Sequence, residues 1–166
     1  EAAEMCKAML REQPDHFDTL YLAGMLHAQR GDFVGAKASI EQAIKLDAEN
    51  ADAYLNLGNV CRALGQHQQA LSNYEKAISI NPEFAEALNN LGVLLSDFGR
   101  HELALSNYDQ AINVNPGFCD AYCNRGTALR GLKRCEEALA SYEKAVSLNP
   151  DYGSALNGRG VALGDL

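Results

Sequence analysis

Tryptophan is absent from this 166-residue chain, proline occurs only 4 times, and 14 lysines and arginines face 22 acids, for a net charge of −8. Each shortage excludes something. Without a basic stripe to neutralise phosphates, nucleic acid is not an expected partner. An anionic membrane surface is excluded on the same ground, and no apolar run approaches the length of a membrane-spanning helix. CxxC pairs are missing. The five cysteines, Cys6, Cys61, Cys119, Cys123 and Cys135, are odd in number and scattered, which predicts reduced thiols and a cytoplasmic setting. No Ser/His/Asp or Cys/His arrangement occurs, and no carboxylate pair lies outside charged helix faces. The chain is therefore not expected to be an enzyme or to hold a cofactor.

What is present is a period. Residues 51–84 and 85–118 match at 17 of 34 positions without a gap, and 119–152 continues the register. A fixed period of this length marks a solenoid. Within each repeat two helical patterns follow one another. Tyr54, Leu57, Gly58 and Cys61 fall on one helix face, and Gly65 then offers a left-handed stop. Ala70, Leu71, Tyr74, Ala77 and Ile78 form the second face, which Asn81-Pro82 ends because the residue before proline is pushed out of the helical region. Gly92, Gly99, Ala104, Tyr108, Ala111 and Pro116 repeat these landmarks, as do Gly126, Ala138, Tyr142, Ala145 and Pro150. Glycine and alanine are small where the helices must approach, and the tyrosines fill the space between them. A single hairpin cannot bury its apolar face alone, so each repeat needs its neighbours.

Position by position, the first helix of each repeat carries a polar stripe away from its packed face. Position 2 is acidic in Asp18, Asp52, Glu86 and Asp120. Position 6 is asparagine three times, Asn56, Asn90 and Asn124, and position 9 holds Asn59, Val93 and Thr127. Acids in a first turn are favoured by the helix dipole. Asparagine is a mediocre helix former, so propensity alone does not select it three times. Its amide both donates and accepts, which suits capture of a peptide main chain. Other polar features are less informative. His67 and His101 occupy one repeat position, a period apart. Cys119, Cys123 and Cys135 fill ordinary repeat positions and lack a fourth partner, so no metal site is expected. Arg125 and Arg159, at position 7, read as packing residues whose stems cover apolar surface.

The landmarks resemble the tetratricopeptide repeat (TPR) family: a large residue, Leu-Gly, then alanine, an aromatic, alanine and proline across 34 residues. The resemblance implies an all-α, right-handed superhelical solenoid of antiparallel helix pairs. It divides one array into the second helix of a truncated repeat (1–16), repeats over 17–50, 51–84, 85–118 and 119–152, and a final first helix (153–166). Residues 17–50 fit less well, since Ile40 replaces the aromatic and Ala48 the proline. Both ends fall inside a repeat, so a fragment of a longer protein is expected.

In TPR proteins the stripe lines a concave groove. The resemblance therefore implies a protein-interaction scaffold, with an extended, neutral or basic partner segment held by Asn56, Asn90 and Asn124. Asn59, Thr127 and the acids Asp52, Glu86 and Asp120 line the same face. TPR modules that grip a chaperone's C-terminal carboxylate carry lysine at position 2, and the acids here exclude such a clamp. Repeats such as "AEALNNLGVLLSDFGRHELALSNYDQAINVNPGF" are also similar to the arms of bacterial O-linked N-acetylglucosamine transferases of the SPINDLY-like group. That likeness implies an alternative role, recruiting acceptor substrates for a catalytic domain outside these residues. Exposed stacking faces at the ends further imply end-to-end self-association.

Overall fold

The computed structural model describes residues 16–166. Of the helix expected over 1–16, only His16 lies among the described residues. These form nine α-helices and no strand: α1 Phe17–Gln29, α2 Phe33–Leu46, α3 Ala51–Ala63, α4 His67–Ile80, α5 Ala85–Asp97, α6 His101–Val114, α7 Cys119–Gly131, α8 Cys135–Leu148 and α9 Gly153–Gly164. The chain is an all-α helical-repeat solenoid grouped into two compact bodies, one running to Pro82 and the other from Glu83. In the first body α1 packs on α2, α2 on α3, and α3 on α4. In the second, α5 through α9 pack in succession, and α7 also touches both α5 and α9.

The turn between the helices of a pair is set by one left-handed residue. Gly31, Gly65 and Gly99 have φ of +79°, +71° and +71°. A bond from the amide one residue further on closes each turn, as when Gln66 N donates to Cys61 O at 2.8 Å and Arg100 N to Leu95 O at 2.9 Å. These are Schellman closures, which use carbonyls that the helix end would otherwise leave unpaired. The fourth turn keeps the bond, Arg134 N to Leu129 O at 2.9 Å, but places Lys133 at φ 58°. A side chain there is strained by steric contact with its own backbone.

Second helices end at Asn81, Asn115 and Asn149, all extended as a following proline requires. Asn115 Oδ1 accepts from Gly117 N at 3.1 Å, and Asn149 Oδ1 from Asp151 N at 3.2 Å. The first repeat lacks the proline, yet Asp47 makes the same turn by accepting from Glu49 N at 3.1 Å. Asn50 then caps α3 through Ala53 N at 3.0 Å, so local side-chain bonds replace a covalent constraint.

Each hairpin sets one large buried side chain against a glycine of its first helix. Tyr74, Tyr108, Tyr142 and, in the first repeat, Ile40 are each at most 1% exposed. A Cβ on Gly58 would lie 2.5 Å from the Tyr74 ring, one on Gly92 2.6 Å from Tyr108, and one on Gly126 2.8 Å from Tyr142; one on Gly24 would lie 2.5 Å from Ile40. Gly160 shares that register position but has no neighbour within 4 Å.

Opposite outcomes are therefore expected for one substitution at one register position. Gly92→Ala should destabilise by about 1–3 kcal/mol through overpacking, and Gly160→Ala should stabilise by up to about 1 kcal/mol through helix propensity. Lys133→Gly should stabilise by about 1 kcal/mol by relieving the left-handed strain. Urea midpoints of the three variants, followed by circular dichroism, check these values; equal effects at positions 92 and 160 would refute the ring-contact account.

Candidate functional site

The polar stripe takes its geometry from the first helix of each repeat. Asp52, Glu86 and Asp120 sit in the first turns of α3, α5 and α7 and are exposed. Their carboxylates complement the unpaired amides there. Asn56, Asn90 and Asn124 lie one turn further on and are half-buried. Asn59 is half-buried and Thr127 exposed one turn beyond.

None of the three position-6 amides is idle. Asn56 Nδ2 donates to the Tyr21 hydroxyl of α1 at 2.6 Å and to Asp52 O at 3.0 Å. In the second body Asn124 Nδ2 donates to Asn89 Oδ1 at 3.0 Å, and Asn89 Nδ2 donates to Asn90 Oδ1 at 3.3 Å. Both arrangements join position 5 of one repeat to position 6 of the next. Among the described residues the carbonyl oxygens of Asn56 and Asn124 accept no hydrogen bond. Asn56 and Asn124 are thus orientated by their donor ends, with these two acceptor ends available, whereas Asn90 is held through its oxygen.

Asn59 and Thr127 have a structural task besides any contact with a ligand. Tyr74 Oη donates to Asn59 Oδ1 at 2.8 Å, and the Thr127 hydroxyl pairs with Tyr142 Oη at 3.1 Å. They satisfy the polar ends of rings that the glycine contacts bury.

Asn89 is the residue that periodicity overlooks. It is only 6% exposed, and it bridges Asn90 and Asn124. Its sequence signal was a polar residue at position 5, where the flanking repeats have Leu55 and Cys123. With it, α5 and α7 frame a cleft of about 350 Å3, lined by Glu86, Asn89, Asn90, Asn115, Phe118 and Asp120. Asp120 also lies beside the Tyr152 hydroxyl, whose ionisation is opposed first by burial and then by that carboxylate.

The remaining chemistry is structural. Arg125 donates through Nε to Asp109 Oδ1 at 2.7 Å and through a terminal nitrogen to Ser141 Oγ at 2.6 Å, tying α7 to α6 and α8. Cys61 and Cys123 are buried, and Cys119 Sγ is 3.3 Å from Ala145 O. Burial pushes the Cys123 thiol up to about 11 and those of Cys61 and Cys119 upward as well, which disfavours the thiolate needed by a nucleophile or metal ligand. Among the described residues no group of three or more His, Cys, Asp or Glu is placed to hold a metal ion. No described helix is long and apolar enough to cross a membrane.

Asn124→Ala would strip the buried Asn89 oxygen of its donor, at an expected cost of about 1–3 kcal/mol. The pair Asn89→Leu with Asn124→Ala restores the aliphatic residue of Leu55's register position, and should cost less than the single change. Chemical unfolding of both variants checks this; a double variant weaker than the single one would refute the relay.

Three segments match the tetratricopeptide repeat model: 19–83, 49–116 and 119–152. No curated protein matches the sequence. Among solved structures, MamA aligns with a TM-score of 0.80 at 29% identity, covering 87% of this chain and 85% of that one. YrrB, described as a TPR protein with an unusual peptide-binding site, aligns at 0.78 and 28% identity, covering 93% of this chain and 80% of its own. The first TPR of Spaghetti (RPAP3), bound to the HSP90 peptide SRMEEVD, aligns at 0.68 and 24% identity over 71% of this chain and 94% of its own, a likeness of fold alone. The family matches cover most of the chain and agree with the observed helix pairs: the chain belongs to the tetratricopeptide repeat family.

Proposed function

We propose that this protein is a non-catalytic interaction scaffold whose first-helix stripe binds an extended peptide segment of a partner by its main chain. The observation that carries the reading is the orientation of the position-6 amides, with the acceptor ends of Asn56 and Asn124 unused by the described residues. An extended peptide presents one N–H and one C=O per residue at regular intervals, and carboxamides pair with both regardless of side-chain sequence. The peptide-binding site described for YrrB supports the same reading. Asp52, Glu86 and Asp120 add a negative field that favours neutral or basic segments. An acceptor-recruiting arm of a larger glycosyltransferase is the alternative; it would use the same amides on the same kind of segment. Leu156, Val161 and Leu163 of α9 are exposed, which supports end-to-end association of copies as a secondary property.

Selection from a random-peptide display library tests the main reading. Extended peptides should be recovered by the parent protein. They should be lost when Asn56, Asn90 and Asn124 become Ala in an Asn89→Leu background, which removes the buried acceptor; a thermal melt confirms that the variant is folded. Equal recovery by the variant would sink the amide reading. Fluorescein-labelled SRMEEVD serves as the counter-probe: its acidic residues meet Glu86 and Asp120, so no anisotropy change is expected at micromolar protein, and binding would refute the charge argument. Light scattering should show a mass that rises with concentration; a constant monomer mass would exclude self-association.

A further inference from the structure

The cleft between α5 and α7 is a departure from the repeat pattern, and it is built from chemically distinct parts. Its lining includes the buried Asn89 amide and the half-buried Asn90. Carboxylates come from the first turns of two successive first helices, Glu86 and Asp120, and Phe118 contributes a half-buried ring. We infer that this cleft is a subsite for one arginine side chain of the bound peptide, an inference that rests on the scaffold reading above.

Size comes first. At about 350 Å3, the cleft lies at the small end of the range for ligand sites, about 300–1,000 Å3, suited to a long side chain. Charge is the second argument. Neither Glu86 nor Asp120 takes part in an ion pair among the described residues. Three arginines of the same body pair with other acids: Arg125 with Asp109 at 2.7 Å, Arg130 with Asp165 at 3.0 Å, and Arg134 with Glu137 at 2.7 Å and Glu102 at 3.8 Å. No described cation pairs with either carboxylate, the Tyr152 hydroxyl beside Asp120 being neutral, so their charge can meet a cation of the peptide, and a chain of net charge −8 reinforces it at longer range.

Shape selects the guanidinium over the ammonium. A guanidinium is planar, carries five donors, pairs with carboxylates two at a time and stacks on an aromatic face. The cleft offers it two carboxylates, amide oxygens and the Phe118 ring. A lysine ammonium would meet the charge but neither the plane nor the fork.

Register explains why this step differs from its equivalents within each body. Between α1 and α3 the place of Asn89 is taken by Tyr21, whose hydroxyl bonds Asn56. Between α7 and α9 it is taken by Cys123, and Ser154 stands where the second acid would be. Two acids and a short amide coincide at the α5–α7 step.

The test uses the parent protein and peptides recovered by display, resynthesised with a fluorescein label. Replacing each arginine in turn by citrulline keeps shape and removes charge. One position should weaken binding by roughly tenfold, the scale of a charge-assisted contact. The Glu86→Gln/Asp120→Asn protein should lose the same factor toward the arginine peptide and be indifferent to the citrulline exchange. Both replaced acids are exposed, and a melt confirms that the variant is folded. Peptides that bind without any arginine dependence overturn the subsite and leave the scaffold reading standing. So does a citrulline effect that persists undiminished in the variant. Recovery of no peptide at all overturns the scaffold reading and the subsite with it.

Discussion

The contact on which the rest depends is a tyrosine ring laid against a glycine backbone. The three repeats over 51–152 each put the tyrosine of their second helix where a Cβ on the first would lie 2.5–2.8 Å from the ring, and Ile40 takes that place in the repeat before them. Such an approach exists only because that side chain is absent. It brings the paired helices together and buries the large Tyr74, Tyr108 and Tyr142 rings almost completely, a payload that dominates core energetics. Alanines at 0% exposure, such as Ala70, Ala77, Ala104 and Ala111, line the surrounding approaches. Because the packing residue is a tyrosine, burial also brings in a hydroxyl that must be satisfied. Asn59 and Thr127 satisfy it in two repeats, so the polar stripe begins as a consequence of the core.

The position-6 amides belong to the same logic one layer further out. Neighbouring first helices meet so that position 5 of one repeat reaches position 6 of the next, through Tyr21 and Asn56 in the first body and Asn89 and Asn124 in the second. A carboxamide whose N–H is held by a neighbour has lost rotamer freedom before any ligand arrives. The cost of ordering it is met during folding instead of binding, which is how preorganisation raises affinity. In the proposed peptide site this would couple recognition to stability: removing Asn124 disturbs a buried group, whereas Glu86 and Asp120 are exposed and can be changed without touching the core.

Much of this was legible in the residues. Periodicity, the Gly-Ala-Tyr-Ala-Pro landmarks and the left-handed stops at Gly65 and Gly99 reflect local sterics, which act through residues close in the chain. The polar stripe was legible as a common face for the same reason. What the sequence did not disclose depends on distances between helices. Lys133 adopts a glycine conformation because the closing bond to Leu129 outweighs its local preference. The double employment of Asn59 and Thr127 depends on where a tyrosine fifteen residues later ends up. Asn89 was hidden because its partner Asn124 is 35 residues away, and the stagger that joins them is a property of packing between helices. Its departure from Leu55's position was the trace available in the sequence.

The acids complete the argument, because they answer to two demands at once. At position 2 a carboxylate stabilises the start of its helix by a few tenths to about 1 kcal/mol, which suffices to account for its recurrence. The same placement puts Glu86 and Asp120 in the lining of the α5–α7 cleft, while the second body's Arg125, Arg130 and Arg134 are drawn to other acids. A helix dipole can be complemented by any first-turn acid, so that demand alone would not leave two carboxylates beside a short buried amide and an aromatic ring. The conjunction arises where Asn89 stands at the register position held elsewhere by Tyr21, Leu55 and Cys123, and there a device that stabilises a helix also supplies the charge that the proposed arginine subsite requires.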